Sequence, residues 1–238
     1  ATYAYVPASQ MPAGKPAWPA FTQLNGELVI DHSALYLNGM RGLWGTVPMV
    51  RGDAVINNLY GNATISVNAQ GRGPLADALA VTNTSPLAEM TGQALAKASV
   101  NGLAEYRVKL DFPLADTNRM TVNGSVNLQG NDVQILPSTP RVMRARGPIA
   151  FTELGYNVNG VTGRLFGGDV RIDGSLGNLS AQTETSAAKV SDSLKAAAAT
   201  LRLDGRVAVE GLRDATELGG LSNLAHYATG ATNYQATV

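Results

Sequence analysis

The chain contains no cysteine. That excludes disulfides and thiolate metal sites, but it locates nothing, because it fits many compartments including the bacterial periplasm. Histidine is nearly absent as well, with only His32 and His226. Charged residues make up 15% of the chain, and the two signs cancel to a formal net charge of zero. Neither a nucleic-acid binder nor a polybasic membrane-surface module fits that balance, since both need a basic patch. No apolar run approaches the roughly 18–20 residues of a transmembrane helix. No signal-peptide pattern is visible in the first residues.

What the chain does have is alternation. In Ala104-Glu105-Tyr106-Arg107-Val108-Lys109-Leu110-Asp111-Phe112 every second residue is apolar. Successive side chains on a strand point to opposite sides, so Tyr106, Val108, Leu110 and Phe112 share a dry face while Arg107 and Lys109 face water. The pattern recurs at 62–70, 119–129, 169–176 and 201–210. A sheet of this kind must cover its dry face with something. What covers it is the functional question.

Punctuation divides the rest. Pro7, Pro12, Pro16 and Pro19 cannot serve a strand ladder, so residues 1–20 read as an extended lead-in. From Phe21 a strand carries Leu28 and Ile30, turns at Asp31-His32-Ser33 and continues through Leu35 and Leu37. Asn38-Gly39 then reads as a hairpin turn. Short strands are expected at 43–47 and 53–56. Pro74 opens a helical turn with Leu75, Ala78 and Leu79. Ser85-Pro86 starts a second helix with Ser85 as N-cap, and Leu87, Met90, Ala94, Leu95 and Ala98 lie on one face. Strands resume at 104–112 and 119–129, with a short continuation at 132–136. They follow again at 147–152, 156–161, 164–166 and 169–176. A further helical insert is expected at 186–200, then a strand at 201–210 and a short helix at 215–224.

Chemistry is hard to find. There is no Gly-x-Ser-x-Gly elbow, Walker A loop or His-Glu-x-x-His pair. Neither histidine has a second metal ligand at helical or strand spacing, so each reads as a surface or capping residue. The carboxylates mostly alternate with basic residues on wet faces. Gly71-Arg72-Gly73-Pro74 reads as a strand-to-helix turn, because Pro74 lacks the amide an anion site would use. No catalytic residue, metal or cofactor is therefore assigned. Trp18, Trp44 and Tyr156 remain as an aromatic site for a rival reading, a β-sandwich module that binds carbohydrate or a protein.

Two stretches read alike at an offset of about 120 residues. The first contains Asn38-Gly39 and later Trp44-Gly45; the second contains Asn159-Gly160 and later Phe166-Gly167. Each precedes an alternating strand, a helical insert and another strand. The expected organisation is a lead-in at 1–20, a β-rich unit at 21–140 with its insert at 74–98, and a second unit at 141–238 with its insert at 186–200. The first and last residues suggest an internal section of a longer protein, the second unit cut short in the strand-like run 233–238.

The order of these elements carries a resemblance. Gly73-Pro74-Leu75-Ala76-Asp77-Ala78-Leu79, Ser85-Pro86-Leu87, the strand 104–114, Val122-Asn123-Gly124-Ser125-Val126, Arg146-Gly147-Pro148-Ile149-Ala150-Phe151 and Arg164-Leu165-Phe166-Gly167-Gly168 together resemble the YhdP branch of the AsmA-like family. The resemblance implies a mainly β fold: a long, curved antiparallel sheet, groove- or taco-shaped and repeat-like, with a few short helices inserted. It also implies a periplasmic section of a large, inner-membrane-anchored protein of a Gram-negative bacterium, conducting phospholipids towards the outer membrane. The implied partners are phospholipid acyl chains, neighbouring segments of the same long chain, and inner- and outer-membrane proteins at its ends.

Such a family works through a surface, so residues are assigned by strand parity. The expected groove lining is Ala63, Ile65 and Val67; Tyr106, Val108, Leu110 and Phe112; Met120, Val122, Val126 and Leu128; Val170, Ile172 and Leu176; and Leu201, Leu203, Val207 and Val209. From alternation alone a closed sandwich explains the same parity, with two dry faces packed on each other.

Overall fold

The computed structural model describes residues 19–85, 87–90, 93–113, 119–153, 155–176 and 200–237. Most of the expected lead-in and almost all of the expected insert at 186–200 lie outside them. In chain order the elements are β1 (Phe21–Asp31), β2 (Ala34–Trp44), β3 (Val47–Ile56), β4 (Thr64–Pro74), α1 (Leu75–Asn83), α2 (Leu87–Met90), β5 (Ser99–Val100), β6 (Leu103–Pro113), β7 (Thr121–Gln134), β8 (Val142–Thr152), β9 (Gly155–Leu165), β10 (Gly168–Leu176), β11 (Thr200–Ala208), α3 (Val209–Arg213), α4 (Gly220–Leu224) and β12 (Ala231–Thr237).

All twelve strands form one antiparallel sheet in the order β1-β2-β3-β4-β6-β7-β8-β9-β10-β11-β12, with β5 paired to β7. Among the described residues there is no second sheet, so a closed sandwich is not what the chain builds. Nearly every strand neighbours the one before it in sequence. The sheet runs unbroken through the β7–β8 connection, where the expected boundary at 140 falls.

The strands are longer than their sequence signals. Asn38-Gly39 does not turn a hairpin; it sits inside β2 as a bulge. The register shifts between Leu37 and Met40, and Gly39 takes φ +59°, a conformation glycine adopts without steric cost. Its free amide donates to the Asp53 carboxylate at 2.8 Å. Asn159-Gly160 repeats the arrangement inside β9, where Gly160 at φ +67° donates to Asp173 at 2.7 Å. The true turn between β1 and β2 is at His32, as expected, also at positive φ.

Helix α1 starts where Pro74 ends β4 with φ fixed near the helical value. Asp77 lies in its first turn, where its charge suits the positive end of the helix dipole. The second helix is shorter than its apolar stripe suggests. Leu87 N–H is capped by the Ser85 hydroxyl at 3.3 Å, as read from the sequence, but α2 ends at Met90. Gln93 has φ +56°, which no helix can accommodate, so Ala94, Leu95 and Ala98 lie in turns. The insert then rejoins the sheet through a buried amide. Asn131 is fully buried; its side-chain oxygen accepts from Gln129 N–H at 2.8 Å, and its side-chain nitrogen donates to Asn101 O at 2.7 Å.

Candidate functional site: the dry face of the sheet

Antiparallel register decides which side chains stand beside each other, because directly opposed residues share a face. One row crosses six strands as Leu28, Leu37, Ala54, Val67, Leu110 and Val122. A second runs from Gly71 through Tyr106, Val126, Ile149, Val158 and Gly174 to Leu201. A third joins Val161, Ile172, Leu203 and Ala236. No residue in these rows is charged. The rows run across the strands, so the apolar lane lies perpendicular to the chain direction.

The residues expected from parity fall as follows. Ala63, Tyr106, Phe112, Val122, Leu128 and Val170 are buried. Ile65, Val67, Val108, Leu110, Met120, Val126, Ile172, Leu201, Leu203 and Val207 are half-buried. Leu176 closes β10, and its side chain lies outside the described ones. Ala63 and Met120 stand just before β4 and β7 rather than on them. Val209 departs from the expectation more clearly. Strand β11 ends at Ala208, and Val209 is the first residue of α3, so it does not continue the strand parity. Its amide bonds to Gly230 O, outside any ladder, at 3.0 Å.

The dry face is not uniform. At the margin where the β2–β3 turn lies, α1 packs down: Val81 joins Val47, Ala104 and Tyr106 in one buried cluster, with Trp44, Leu75 and Ala78 around it. Leu75 also reaches a second cluster of Leu128, Ala145 and Val161. Tyr106 is anchored there, its hydroxyl donating to Gly73 O or Pro74 O at 3.2 and 3.1 Å. Burial, helped by the nearby Asp77 charge, pushes its pKa up to about 12, so the phenol is neutral. Towards the other margin Leu28 and Ile30 are 57% and 65% exposed.

The wet face carries a repeated device: a basic residue two positions before an aspartate on the same strand. Arg51 and Asp53 lie 3.4 Å apart, Lys109 and Asp111 3.7 Å, and Arg171–Asp173 and Arg202–Asp204 2.8 Å each. Exposed pairs of this kind add little stability. They do keep the face hydrated. The Gly39 amide holds Asp53 below the usual carboxylate range, and Arg171, with the Gly160 amide second, does so for Asp173.

Among the described residues no three His, Cys, Asp or Glu side chains come together as metal ligands. Of the aromatic trio of the rival reading, Trp44 and Tyr156 lie among the described residues. Trp44 stacks on Phe21 at 6.3 Å and packs into the core, Tyr156 is half-buried, and Trp18 lies outside the described residues. Sequence parity missed the glycines of the dry face, and it missed Glu153, whose carboxylate accepts the Val122 amide at 2.8 Å. The glycines had a readable signal, since they sit at apolar parity.

Comparison with known proteins agrees with this picture. The family described as YhdP protein matches residues 14–238. A curated relative, the "Intermembrane phospholipid transporter YhdP" of Escherichia coli (strain K12), is 26% identical over 161 residues. The match covers 68% of this chain but 13% of the relative's length. No solved structure matches the chain.

Proposed function

Because the chain belongs to the YhdP family, we propose that its dry face is a section of a non-enzymatic conduit that shields phospholipid acyl chains between the inner and outer membranes. The section sits in the periplasm of a Gram-negative bacterium, within a longer inner-membrane-anchored protein. Neighbouring segments of that protein prolong the lane, and membrane proteins meet its ends. The lining is the set of parity residues, above all Ile65, Val67, Val108, Leu110 and Val126, where strand parity and half-burial agree.

The physical case is one of barriers. At about 0.8 kcal/mol per methylene, exposing two acyl chains of roughly 30 methylenes to water costs on the order of 25 kcal/mol. A continuous apolar lane removes most of that cost without tight binding, while the head group stays in water. The lane must lack charge and deep pockets. The overlapping uncharged rows, which together reach from β1 to β12, are the single observation that carries this reading. Among the described residues no helix is long and apolar enough to cross a membrane.

The test is photo-crosslinking in the presence of phospholipid vesicles. A photoreactive residue at Leu110 or Val67 is expected to label lipid, and one at Arg107 or Asn123 is not. Equal labelling from both faces, or none from either, would remove the proposal.

A further inference from the structure

At three places on the dry face a ring lies opposite a glycine of the adjacent strand: Tyr106 opposite Gly71, Phe151 opposite Gly124, and Tyr234 opposite Gly205. Each ring leans over the bare backbone. A Cβ on Gly124 would meet Phe151 Cε2 at 2.6 Å, one on Gly205 would meet Tyr234 Cε1 at 3.1 Å, and one on Gly71 would meet Tyr106 Cδ2 at 3.5 Å. None of these glycines has a positive φ, so backbone conformation does not demand glycine there. Glycine inside a strand costs stability, and its presence calls for another reason. At Gly124 the reason on view is the space the ring occupies; at Gly71 and Gly205 a backbone carbonyl of the neighbouring strand lies nearer, Pro48 O and Asp169 O at 2.7 Å each, with the ring beside it.

Gly124 makes the case most sharply. It is buried at the centre of the sheet, between Val108 and Phe151 in register. With a larger residue there, Phe151 must move off the glycine, and the Arg107 carbonyl, 2.9 Å from the added Cβ, must give as well. Other large side chains along the lane use the same shelter: Met49 lies over Gly52, and Leu201 over Gly174.

We propose that the dry-face glycines, Gly124 foremost, set the clearance of the lane by letting large side chains lie flat, so that they line the floor without obstructing passage. Gly124 acts here as a positioning residue, working through Phe151. The inference rests on the lipid reading above, and its test separates the two.

The chain is prepared with 4-fluorophenylalanine at position 151, and a phosphatidylethanolamine with a diazirine-bearing palmitoyl chain is offered in vesicles. Wild type is expected to crosslink at dry-face residues such as Val126. Gly124→Ala is expected to shift the fluorine resonance towards a solvent-exposed ring and to lose crosslinking several-fold. In unlabelled chains, Gly124→Ala/Phe151→Ala is expected to recover crosslinking to the wild-type level or above, although its melting temperature stays below wild type. A glycine needed only for stability would lower the melting temperature and leave lipid labelling of the folded chain unchanged.

Unchanged labelling with a displaced ring overturns the clearance role and spares the lipid reading. An undisplaced ring overturns it as well, as does a double variant no better than Gly124→Ala. A wild type that labels nothing overturns both. Where Gly124→Ala does not fold, Phe151→Ala alone decides: raised labelling supports the role, and unchanged labelling overturns it.

Discussion

The hairpins β2–β3 and β9–β10 are built to one plan and supported unequally. In each, an Asn-Gly bulge donates its glycine amide to an aspartate on the next strand, and that aspartate pairs with a basic residue two positions earlier. Each turn carries an aromatic residue followed by a positive-φ glycine, Trp44-Gly45 or Phe166-Gly167. Each turn also receives a helical insert. Val81 of α1 packs against Gly45, and Gly211 of α3 lies against Phe166 and Gly167. One strand beyond each insert, a tyrosine leans over a glycine. The correspondence is the ground on which we propose that the chain holds two related units.

The difference lies in what the helix contributes. Nine residues long, α1 buries Val81 in the core. The five-residue α3 has no buried residue; its insert buries the small residues Ala215, Ser222 and Ala225, and Arg213 ties it by bonding to Ala225 O and Ala228 O. Tyr106 has two carbonyls for its hydroxyl, whereas the Tyr234 hydroxyl is buried with no partner. The same topology can thus be held by large apolar side chains in one place and by small buried residues with polar clasps in another.

Three measurements probe that asymmetry. The largest effect is expected from removing the rings. Tyr106→Ala should cost about 3–5 kcal/mol in denaturant unfolding, as for other buried aromatics, whereas Tyr234→Ala on the half-covered strand should cost about 1–2 kcal/mol. Equal losses would mean the two units are equally packed. Removing the hydroxyls alone should reverse a sign. Tyr106→Phe should lose about 1 kcal/mol, while Tyr234→Phe, which relieves an unpartnered buried group, should be neutral or stabilising.

The smallest effect concerns the aspartates. Both are held below their ordinary value of 3.8 in the folded chain. They therefore contribute stability above that pH, and the contribution is lost as pH falls through it towards the lower folded value. The leading causes differ, a backbone amide for Asp53 and a guanidinium for Asp173. In a carboxylate NMR titration, Arg171→Gln should bring Asp173 back towards 3.8 further than Arg51→Gln brings Asp53. The opposite order would show that the two clasps differ from the way they are drawn here.

Alternation made the strands and their dry sides legible, because parity is local and survives any pairing. The open single sheet was not legible by that route, since a sandwich has the same parity; the family resemblance pointed to it instead. Strand length escaped at Asn38-Gly39, whereas Asn159-Gly160 falls inside the expected strand 156–161. A bulge and a hairpin turn ask the same of glycine, and only the distant Asp53 or Asp173 distinguishes them. Val209 was placed on a strand because its apolar parity continues past the point where the backbone changes to helix. Gly71, Gly124 and Gly205 were passed over because a residue with no side chain leaves a gap in any list of lining groups.

The rows of apolar side chains run across the strands, and this fixes how such a lane can change length. Each strand adds about 4.8 Å along the row and leaves the cross-section unchanged. An antiparallel strand reverses the chain, so a single inserted strand would deliver the following segment to the wrong margin. Insertions and deletions that preserve the path must come as hairpins, in steps of about 10 Å. The length of such a lane is then a count of hairpins, and it can change without redesigning a single contact on the floor.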